Sequence, residues 1–519
     1  MKSCNKSTGT VYTPQSLADW MISYVQKNQK YPINHILEPS AGYGVFLEKL
    51  KQFNSAVDAV ELVKEKAVIV SEQYKDVKVY NENYLEYITH CNKKYDLIIG
   101  NPPYIRKKYL SLENREISKK IVKEHNLPVS VFQNIWVSFI LGSLNILSET
   151  GVLFFVLPFE FLQVQYPMEL RKKLEERFNK INIITFEINP FTGILQDVCL
   201  VYMAQIDGEK PEINYSTLHS IMDFSEVGLP NKIMKNKPLV KWSEAILSDK
   251  EINLINTLSN KYPKIESLGF MRPGIVSAAN DYFIVNHELR DKLQSIEYFS
   301  PIIRMSSYLI GRMRIDEKTL RTLDKKGEPI WLLNLNNQDD GGFSQNLQEY
   351  LAYGVKQGID KRYKCSKRER WYQVPIVQPG DLLFFKRYNK IPRFVINDMG
   401  IFTTDIAYNI SLNKEYDAES VIFCFYNSLT LASCERKGRF YGGGVAELIP
   451  SEFKGLPIPY QKIPAHHIEH FEELFKDENS LDAIIDYVDT VIFTDMKPEE
   501  KELLRGIRYK YLRRRLYFR

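Results

Sequence analysis

The chain has 519 residues, of which 44% are hydrophobic and 26% are charged, a balance typical of a folded globular protein. At roughly 150 residues per domain, this length predicts two to four domains. The longest apolar run, residues 151–158, is far shorter than the ~20 residues that cross a bilayer, and the N-terminus lacks the apolar segment of a secretion signal. We therefore expect a soluble cytoplasmic protein with no membrane partner.

The net charge of +5 permits a polyanionic partner but does not require one. The six cysteines form no Cys-x-x-Cys pair, which argues against a zinc ribbon or a disulfide framework. His466, His467 and His470 are close in sequence, but no cysteine flanks them, and a surface helix is the simpler interpretation. We predict no metal site.

Short β-rich runs alternate with helical patterns over the first part of the chain. The runs are residues 35–38, 57–61, 77–80, 95–100, 151–157, 181–188 and 198–205. A helix is predicted over 14–25, with Thr13 as its N-cap. This alternation predicts an α/β fold with a doubly wound, mostly parallel seven-stranded Rossmann-like sheet. No helix separates the last two runs, so we expect them to form an antiparallel hairpin at one edge of the sheet.

The composition of the sequence changes after the seventh β-rich run. Residues 207–212 are a polar break, and residues 230–238, rich in lysine, asparagine and proline, indicate a linker or surface loop. Beyond them the chain is rich in aromatic and basic residues, without an internal repeat. We predict two domains, 1–230 and 240–519, the second a large mixed α+β domain.

The tetrapeptide Asn101-Pro-Pro-Tyr104 directly follows a buried apolar run. Open α/β sheets bind ligands at the carboxyl ends of their strands. Two prolines restrict the backbone, so the Asn101 side-chain oxygen and the Pro102 carbonyl are presented as two stiff acceptors. Such a pair suits the two N–H donors of an exocyclic amino group, and Tyr104 offers a flat face for a base. The structural alternative is a simple Pro-Pro turn at a strand end.

A second motif, residues 36–44, runs from a strand into a glycine turn and a helix. Gly42 and Gly44 let backbone amides approach a ligand, although a Gly-x-Gly pattern equally marks a tight turn. Glu61, at the end of the next strand, follows Glu38 by 23 residues. A carboxylate at about this distance binds the ribose hydroxyls in nucleotide-binding sheets. Together these residues indicate a cofactor that contains adenosine.

The order of Thr13-Pro14, the turn at 38–44, Glu61 and the tetrapeptide resembles the gamma arrangement of DNA adenine-N6 methyltransferases of restriction–modification systems. The resemblance is rich in motifs over 10–205 and looser over 260–460. It implies transfer of a methyl group from S-adenosylmethionine to an adenine flipped out of double-stranded DNA, in a prokaryotic cytoplasm with the nucleoid. The cofactor residues that it implies are Thr13, Glu38, Pro39, Ser40, Ala41, Gly42, Gly44, Glu61, Asn83, Asn101 and Pro103.

The resemblance also assigns roles at the target base. Asn101 and Pro102 accept hydrogen bonds from the target amino group, Tyr104 stacks on the base, and Phe191 is the candidate for a second stacking aromatic. For Phe191, a loop aromatic that caps the core is the alternative. Asn83 stands where the family usually has an acidic residue. Its oxygen can accept the same hydrogen bond without a charge, so we expect a lower cofactor affinity.

The segment 361–372 holds six cations, one carboxylate and three aromatic residues, and a shorter basic cluster follows at 386–393. Basic residues at this density suit phosphate contacts, although charge runs are often only solvated. The resemblance favours DNA, and it extends to segments 274–283 and 401–405. The predicted DNA contacts are Arg362, Lys364, Lys367, Arg368, Arg370, Trp371, Lys386 and Arg387. The basic C-terminal segment 505–519 suits a helix or an arm that binds phosphates, and it equally suits a solvated tail.

Several alternatives remain open on the sequence. An RNA adenine methyltransferase, a protein-glutamine methyltransferase and a catalytically inactive DNA-binding subunit share parts of the pattern. A cytosine-N4 enzyme more often carries serine in place of Asn101. The sequence lacks a Pro-Asp followed by a Glu/Asp-x-Lys pair, so we expect a stand-alone modification enzyme. A separate cognate restriction endonuclease would then act on the same DNA site.

Overall fold

The computed structural model describes residues 12–164, 166–191, 197–219, 233–235, 241–336, 338, 340–441, 443–476 and 481–516. The chain divides into two compact units. The first comprises Met1–Ile252, Arg439–Gly444 and Leu512–Arg519, and the second comprises Asn253–Gly438 and Val445–Tyr511. The first unit thus includes two segments from the C-terminal part of the chain, which the sequence did not predict. The predicted linker 230–238 lies largely outside the described residues, and the predicted boundary there stays a prediction.

The first unit contains one large sheet. Its strands are β1 (His35–Glu38), β2 (Ala56–Val60), β3 (Val77–Tyr80), β4 (Tyr95–Gly100), β5 (Leu147–Pro158), β6 (Lys180–Phe186), β7 (Val198–Ala204), β8 (Glu212–Leu218) and β9 (Ile233–Lys235). Its helices are α1 (Gln15–Asn28), α2 (Leu47–Leu50), α3 (Lys64–Gln73), α4 (Tyr84–His90), α5 (Leu112–Glu124), α6 (Trp136–Ile146), α7 (Glu160–Gln163) and α8 (Met168–Arg177).

The sheet has nine strands in the order β3-β2-β1-β4-β5-β7-β6-β8-β9. Strands β1 to β5 pair in parallel, and β7 pairs antiparallel with both β5 and β6. The prediction of a mostly parallel α/β sheet is confirmed. The strand count of seven is wrong, because β8 pairs in parallel with β6 and β9 pairs antiparallel with β8. The predicted hairpin therefore lies inside the sheet and not at its edge.

Strand β8 was missed because its sequence is polar. It carries Asn214, Ser216 and Thr217 directly after the polar break. Inside the sheet these groups find partners: Asn214 Nδ2 donates to Asn182 Oδ1 at 2.7 Å, and the hydroxyls of Thr185 and Thr217 lie 3.1 Å apart. Cross-strand hydrogen bonds of this kind allow polar side chains to be buried, and only the neighbouring strand supplies them.

Helices cover both faces of the parallel part of the sheet. Side chains alternate along each strand, so Ile36 and Leu97 join one hydrophobic cluster while Leu37 and Ile98 join the other. The first cluster is covered by α1, which buries Trp20 among others. A sheet buried on both faces leaves its strand ends as the place for a polar site.

The remaining chain forms smaller sheets and further helices, as expected for a mixed α+β domain. The strands are β10 (Gly269–Pro273), β11 (Ile284–Val285), β12 (Phe299–Ile303), β13 (Trp331–Leu333), β14 (Leu382–Phe385), β15 (Arg387–Tyr388), β16 (Arg393–Ile396), β17 (Phe402–Thr403), β18 (Ala407–Leu412), β19 (Arg439–Tyr441) and β20 (Val445–Glu447). The helices are α9 (Asp249–Lys261), α10 (Asn280–Phe283), α11 (His287–Lys292), α12 (Glu317–Lys325), α13 (Gln345–Lys356), α14 (Ala418–Phe425), α15 (Ser428–Lys437), α16 (Pro450–Lys454), α17 (Ala465–Phe475), α18 (Leu481–Ile492) and α19 (Pro498–Leu516).

Two four-stranded sheets organise the second unit, β10-β18-β14-β16 and β11-β13-β12-β17. None of the described helices combines the length and the apolar character that a bilayer crossing requires.

Candidate active site

The site lies where β1 and β4 end side by side. These strands pair in parallel, so Glu38 and Asn101 emerge at the same edge of the sheet. Gly100 allows the strand ends to approach closely, because a Cβ at this position would lie 3.3 Å from Pro39 Cδ. The backbone itself therefore brings the two predicted motifs together.

Two residues of the motifs hold Asn101 in place. Its Nδ2 donates to Thr13 Oγ1 at 3.1 Å, and Ser40 Oγ donates to the Asn101 carbonyl at 3.1 Å. Because Nδ2 is bound to the threonine, the side-chain oxygen Oδ1 points away from that hydroxyl. The amide is thus oriented as a hydrogen-bond acceptor for something other than Thr13.

The glycine turn is organised around the Glu61 carboxylate. Gly42 N donates to Glu61 Oε2 and Val63 N donates to Oε1, both at 2.8 Å. Gly42 and Gly44 have φ values of +60° and +77°, in the left-handed region that favours glycine. Each carboxylate oxygen has a second lone pair, so Glu61 can bind the turn and still accept from a ligand hydroxyl.

Glu38 is an unsatisfied buried carboxyl group. It is 1% exposed, and its Oε2 has no hydrogen-bond partner among the described residues. Burial raises the pKa of the Glu38 carboxyl well above its ordinary value, and the negative charge of Glu61 raises it further. A buried carboxyl group without a partner indicates that a ligand, and preferably a cation, completes this site.

A cavity of 530 Å³ opens beside these residues, a size suited to a small-molecule cofactor. The predicted residues that line it are Thr13, Glu38, Pro39, Ser40, Ala41, Gly42, Glu61, Asn83, Asn101, Pro102 and Pro103. Gly44, Tyr104 and Phe191 are not part of its lining. Gly44 lies behind the turn, where an added Cβ would meet the Tyr74 ring at 2.8 Å.

The sequence missed the apolar walls of this cavity. They include Leu62, Ile105, Ile135 and Phe139, which together can enclose a flat heterocycle. The sequence held part of one signal, since Leu62 directly follows Glu61. In the structure the Leu62 side chain is 66% exposed, so packing in the core does not explain an apolar residue there. Ile135 and Phe139 come from helix α6 and its N-cap, which only the tertiary fold brings to this edge.

Asn83 caps helix α4 and lines the cavity. Its Oδ1 accepts from Leu85 N at 3.1 Å, and its Nδ2 donates to Asn114 Oδ1 at 2.6 Å. The side chain is therefore held with its nitrogen occupied, and Oδ1 keeps a second lone pair for a ligand donor. The lower cofactor affinity expected from its missing charge stays a prediction.

Tyr104 is not part of the cavity lining, and a hydrogen bond from its hydroxyl holds the ring in place. Its hydroxyl donates to Val156 O at 3.0 Å, and the ring packs between the two hydrophobic clusters while remaining partly exposed. Burial raises the pKa of the Tyr104 hydroxyl well above its ordinary value, so the group stays neutral. A ring fixed in this way can serve as a rigid platform, and its stacking role stays a prediction.

Phe191 is 3% exposed and belongs to the hydrophobic cluster that also contains Ile36. Its position favours the core-capping alternative, because the side chain is buried within that cluster. A stacking role would require this segment to rearrange, and the stacking assignment stays a prediction. Residues 192–196 of the same loop lie outside the described residues.

In the second unit, the basic segment 361–372 divides into two groups of side chains. Lys364 and Lys367 are exposed, and with Arg272 and Tyr363 they line a cavity of 600 Å³. Tyr363 is 78% exposed. These cations and this ring are accessible to a polyanionic partner.

Arg368 also lines this cavity, but its guanidinium, like the Trp371 ring, contacts groups of its own unit. Arg368 Nη2 donates to Ser277 O at 2.7 Å, and its Nη1 donates to Trp371 O at 3.1 Å. Burial lowers the pKa of the Arg368 guanidinium. Trp371 packs against Tyr282, with ring centroids 5.6 Å apart. These two residues fasten the basic segment to its own unit.

The other four predicted DNA contacts each interact with a group of their own unit. The contacts are Arg362 Nη1 to Ala278 O (3.1 Å), Arg370 Nη1 to Gln338 O (3.3 Å), Lys386 Nζ to Asp405 Oδ2 (3.9 Å) and Arg387 Nε to Glu447 Oε2 (3.2 Å). Each cation retains further donors, so these contacts do not preclude a role on DNA, and their DNA role stays a prediction.

The segments 274–283 and 401–405 lie against each other. Ile275 forms a parallel bridge with Thr404, and Ile275 N donates to Thr403 O at 2.7 Å. A Cβ on Gly274 would lie 2.3 Å from Thr404 O, so the glycine is required for this approach.

Over residues 505–516, the C-terminal basic segment forms the end of helix α19, in agreement with the helical alternative. Arg514 Nη1 donates to Tyr215 Oη at 2.8 Å, and Arg515 Nη1 donates to Gly444 O at 2.6 Å, both within the first unit. Both arginines are buried, at 6% and 3% exposure. Their guanidinium groups support the structure and are not available to phosphates.

The three histidines lie on helix α17. His467 Nδ1 and Tyr487 Oη are 2.6 Å apart. In the described part of the chain, no group of three or more histidine, cysteine or carboxylate side chains is placed to hold a metal ion.

The α/β sheet and the cavity at its strand ends give the first unit a Rossmann-like fold with a site for a small-molecule cofactor. Two family models match the chain. "Eco57I restriction-modification methylase" matches residues 32–191, and "Type II methyltransferase M.Eco57I, C-terminal domain" matches residues 239–493. Together they match most of the sequence, and the chain belongs to these type II DNA methyltransferases of restriction–modification systems.

Individual relatives agree with this assignment. The type II methyltransferase M.AccI of Acinetobacter calcoaceticus is 24% identical over 96% of this chain and 95% of its own length. M.HincII of Haemophilus influenzae is 31% identical over 37% of this chain and 36% of its own length. The structure of the type IIL restriction–modification enzyme MmeI has a TM-score of 0.60 and 13% identity, over 96% of this chain and 75% of that chain. This last likeness concerns the fold alone.

S-adenosylmethionine is the cofactor of this class of enzyme, and the residues present fit it. The buried, unpartnered Glu38 oxygen suits a cationic group, the Glu61 oxygens suit hydroxyl donors, and the apolar walls suit a heterocycle. The sequence prediction of this cofactor is confirmed.

Proposed function

We propose that the protein is a site-specific DNA adenine-N6 methyltransferase that flips its target adenine out of the duplex. The observation that carries this proposal is that Asn101 and Pro102 line the same cavity as Glu38 and Glu61. An acceptor pair for an amino group thus adjoins the residues suited to the methyl donor. Methylation of the site would protect it from a separate cognate restriction endonuclease.

Asn101 and Pro102 act on the target nitrogen. When Asn101 Oδ1 and the Pro102 carbonyl accept its two N–H groups, the lone pair leaves conjugation with the ring and becomes nucleophilic. Thr13 keeps Asn101 oriented, because Asn101 Nδ2 already donates to Thr13 Oγ1. Catalysis then depends on positioning and on stabilising the positive charge that develops on the amine.

Different residues of the cavity bind different parts of the methyl donor. S-adenosylmethionine supplies a sulfonium methyl group. Glu38 binds the ammonium of its methionine end, Glu61 accepts from the ribose hydroxyls, and Asn83 accepts from the adenine amino group. Pro103 packs near that adenine.

Duplex DNA hides the adenine N6, so the base must leave the stack at a cost of a few kcal/mol. Tyr104 offsets part of this cost by stacking, worth ~1–3 kcal/mol per base. The exposed Lys364 and Lys367 of the second unit bind the phosphates, and each neutralised phosphate steepens the salt dependence of binding by about 0.9 in log–log slope.

The test is single-molecule sequencing of DNA from cells that express the wild-type chain or Asn101→Ala. Wild type should produce N6-methyladenine in one sequence context, and Asn101→Ala should produce none while retaining S-adenosylmethionine binding by calorimetry. Asn92→Ala, an exposed asparagine of the same unit, is the matched control and should methylate normally.

Other results would revise the proposal. Methylated cytosine in the same experiment would replace the adenine assignment with cytosine-N4. Unmodified DNA together with methylated RNA or protein would identify another substrate class. Normal methylation by Asn101→Ala would contradict the role of the acceptor pair.

A further inference from the structure

A second cavity, of 480 Å³, lies in the first unit next to the residues that follow Tyr104. Its lining contains four cations, Arg106, Lys107, Lys108 and Arg115, and a single carboxylate, Glu160. Within the described ranges, none of the four cations forms an ion pair with a carboxylate. Judged by the residues that the structure describes, the cavity is therefore electropositive.

A short ladder separates this cavity from the first one. Arg106 forms an antiparallel bridge with Asn134, and Ile135 N donates to Ile105 O at 3.0 Å. Neighbouring side chains of an extended segment face opposite sides. Accordingly, Ile105 and Ile135 line the first cavity, whereas Arg106 and Asn134 line the second. The same ladder thus forms a wall of both cavities.

Two polar groups of the second cavity have unused hydrogen-bonding capacity. Asn134 is 6% exposed, and its Oδ1 is buried without a partner among the described residues. Arg115 donates from Nη2 to Lys108 O at 2.9 Å, but its buried Nε has no partner there. The amide oxygen and nitrogen of asparagine exchange places by a rotation, so Asn134 can present a donor as well. Buried polar groups of native proteins are normally satisfied, which indicates that a polar ligand completes this cavity.

Among the described residues that line this cavity, Glu160 is the one whose negative charge would repel an anion. Burial raises the pKa of the Glu160 carboxyl, and the positive charges of Arg106 and Arg439 lower it in part. Even when Glu160 is ionised, the four cations leave the cavity with a net positive charge. A phosphate, with its negative charge and several acceptor oxygens, matches arginine donors of this kind.

We propose that the second cavity binds a backbone phosphate of the target DNA strand, through Arg106 and Arg115 and with Asn134 as a further donor. This inference rests on the proposed function, because a base held by Asn101 brings the phosphates next to its own nucleotide toward the residues after Tyr104. A contact at this position holds the strand in register and offsets part of the cost of extruding the base.

The test uses a duplex that contains the site mapped by sequencing, with one phosphate at a time replaced by a neutral methylphosphonate. Wild type should lose affinity at one phosphate flanking the target adenine. Arg106→Gln and Arg115→Gln should each lower the log–log salt slope on natural DNA, by at most about 0.9 because they share one phosphate, and they should lose sensitivity to the methylphosphonate at that position.

Three further variants keep the test decisive. Lys108→Gln alters an exposed side chain and should lower the slope without affecting the fold. Lys120→Gln, on the same helix as Arg115 and 73% exposed, is the matched control and should retain the wild-type slope and methylphosphonate sensitivity. Glu160→Gln should strengthen DNA binding, since it removes a negative charge from the cavity. Calorimetry with S-adenosylmethionine checks that each variant folds.

The outcomes separate the two proposals. If the wild-type chain methylates DNA while Arg106→Gln, Arg115→Gln and Lys108→Gln keep its salt slope, the phosphate site is overturned and the proposed function stands. Weaker DNA binding by Glu160→Gln also overturns the phosphate site, because it would mean that this carboxylate accepts from the substrate. A wild-type chain that methylates no DNA overturns both.

Discussion

The first cavity and the basic segment 361–372 differ in what sets the direction of their side chains. At the cavity, backbone restraints do so: Pro102 and Pro103 limit the chain after β4, and Gly42 takes a left-handed conformation that few other residues adopt. In the basic segment, the charged residue types leave both inward and outward orientations open. A motif built on restrained backbone therefore predicts a site better than a motif built on charge.

Two neighbours in the basic segment make this difference concrete. Both residues line the same cavity, but Lys367 is exposed there, whereas Arg368 is partly buried and donates to Ser277 O. The sequence assigned both to DNA. A planar guanidinium with five donors can satisfy several carbonyls at once, and the fold uses that capacity at Arg368.

After the loss of methylation expected for Asn101→Ala, the largest expected effect concerns Tyr104. Tyr104→Ala should lower kcat/KM for DNA methylation by about 5- to 150-fold, which corresponds to the ~1–3 kcal/mol of one base–aromatic stack. Tyr104→Phe keeps the ring and loses only the hydrogen bond to Val156 O, so it should stay close to wild type. Steady-state kinetics on a methylatable duplex measures both. Equal losses in the two variants would mean that the hydroxyl, and not the ring face, is required.

A smaller effect is expected from pH at Glu38. Its carboxyl has a raised pKa in the free enzyme, so it is protonated over a wider acidic range than an ordinary glutamate. A cation binds only the ionised form. Affinity for S-adenosylmethionine should therefore fall as pH decreases below the raised pKa, by at most about tenfold per pH unit for a single proton.

Glu38→Gln is the control for this dependence. It removes the titrating group and should bind S-adenosylmethionine weakly at every pH, with a flat profile in calorimetric titrations. A pH slope that survives in Glu38→Gln would assign the titration to a different group.

The smallest effects distinguish the two neighbours of the basic segment. Lys367→Gln should reduce the log–log salt slope of DNA binding by about 0.9 and leave thermal unfolding unchanged. Arg368→Gln should instead lower the free energy of unfolding of the second unit by about 2 kcal/mol, because it loses charged hydrogen bonds to buried carbonyls. Salt titrations and thermal unfolding of both variants check this contrast, and the reverse pattern would mean that the two orientations are exchanged.

The sequence predicted the parallel sheet well because each of its seven runs is apolar and bounded by turn residues. The observed strands β1 to β7 begin within one residue of the predicted runs, except β5, which begins four residues earlier. Strand β8 escaped prediction, since polar residues such as Asn214 become buried only when a neighbouring strand supplies their hydrogen bonds. Strand β9 has three residues and lies within the predicted linker. The burial of the Arg514 side chain in the first unit was equally unpredictable from the sequence, because charged residues are normally exposed.

By itself, the sequence determined the backbone of the site: two strand ends, a glycine turn, a proline pair and the carboxylate of Glu61, all of them local features. Only the tertiary structure decided which distant residues complete it. Ile135 and Phe139 wall the first cavity, Asn134 and Arg106 share a ladder beside it, and Arg514 is buried on Tyr215. The physical reason is that local restraints act through neighbouring dihedral angles, whereas burial and pairing depend on elements that are far apart along the chain.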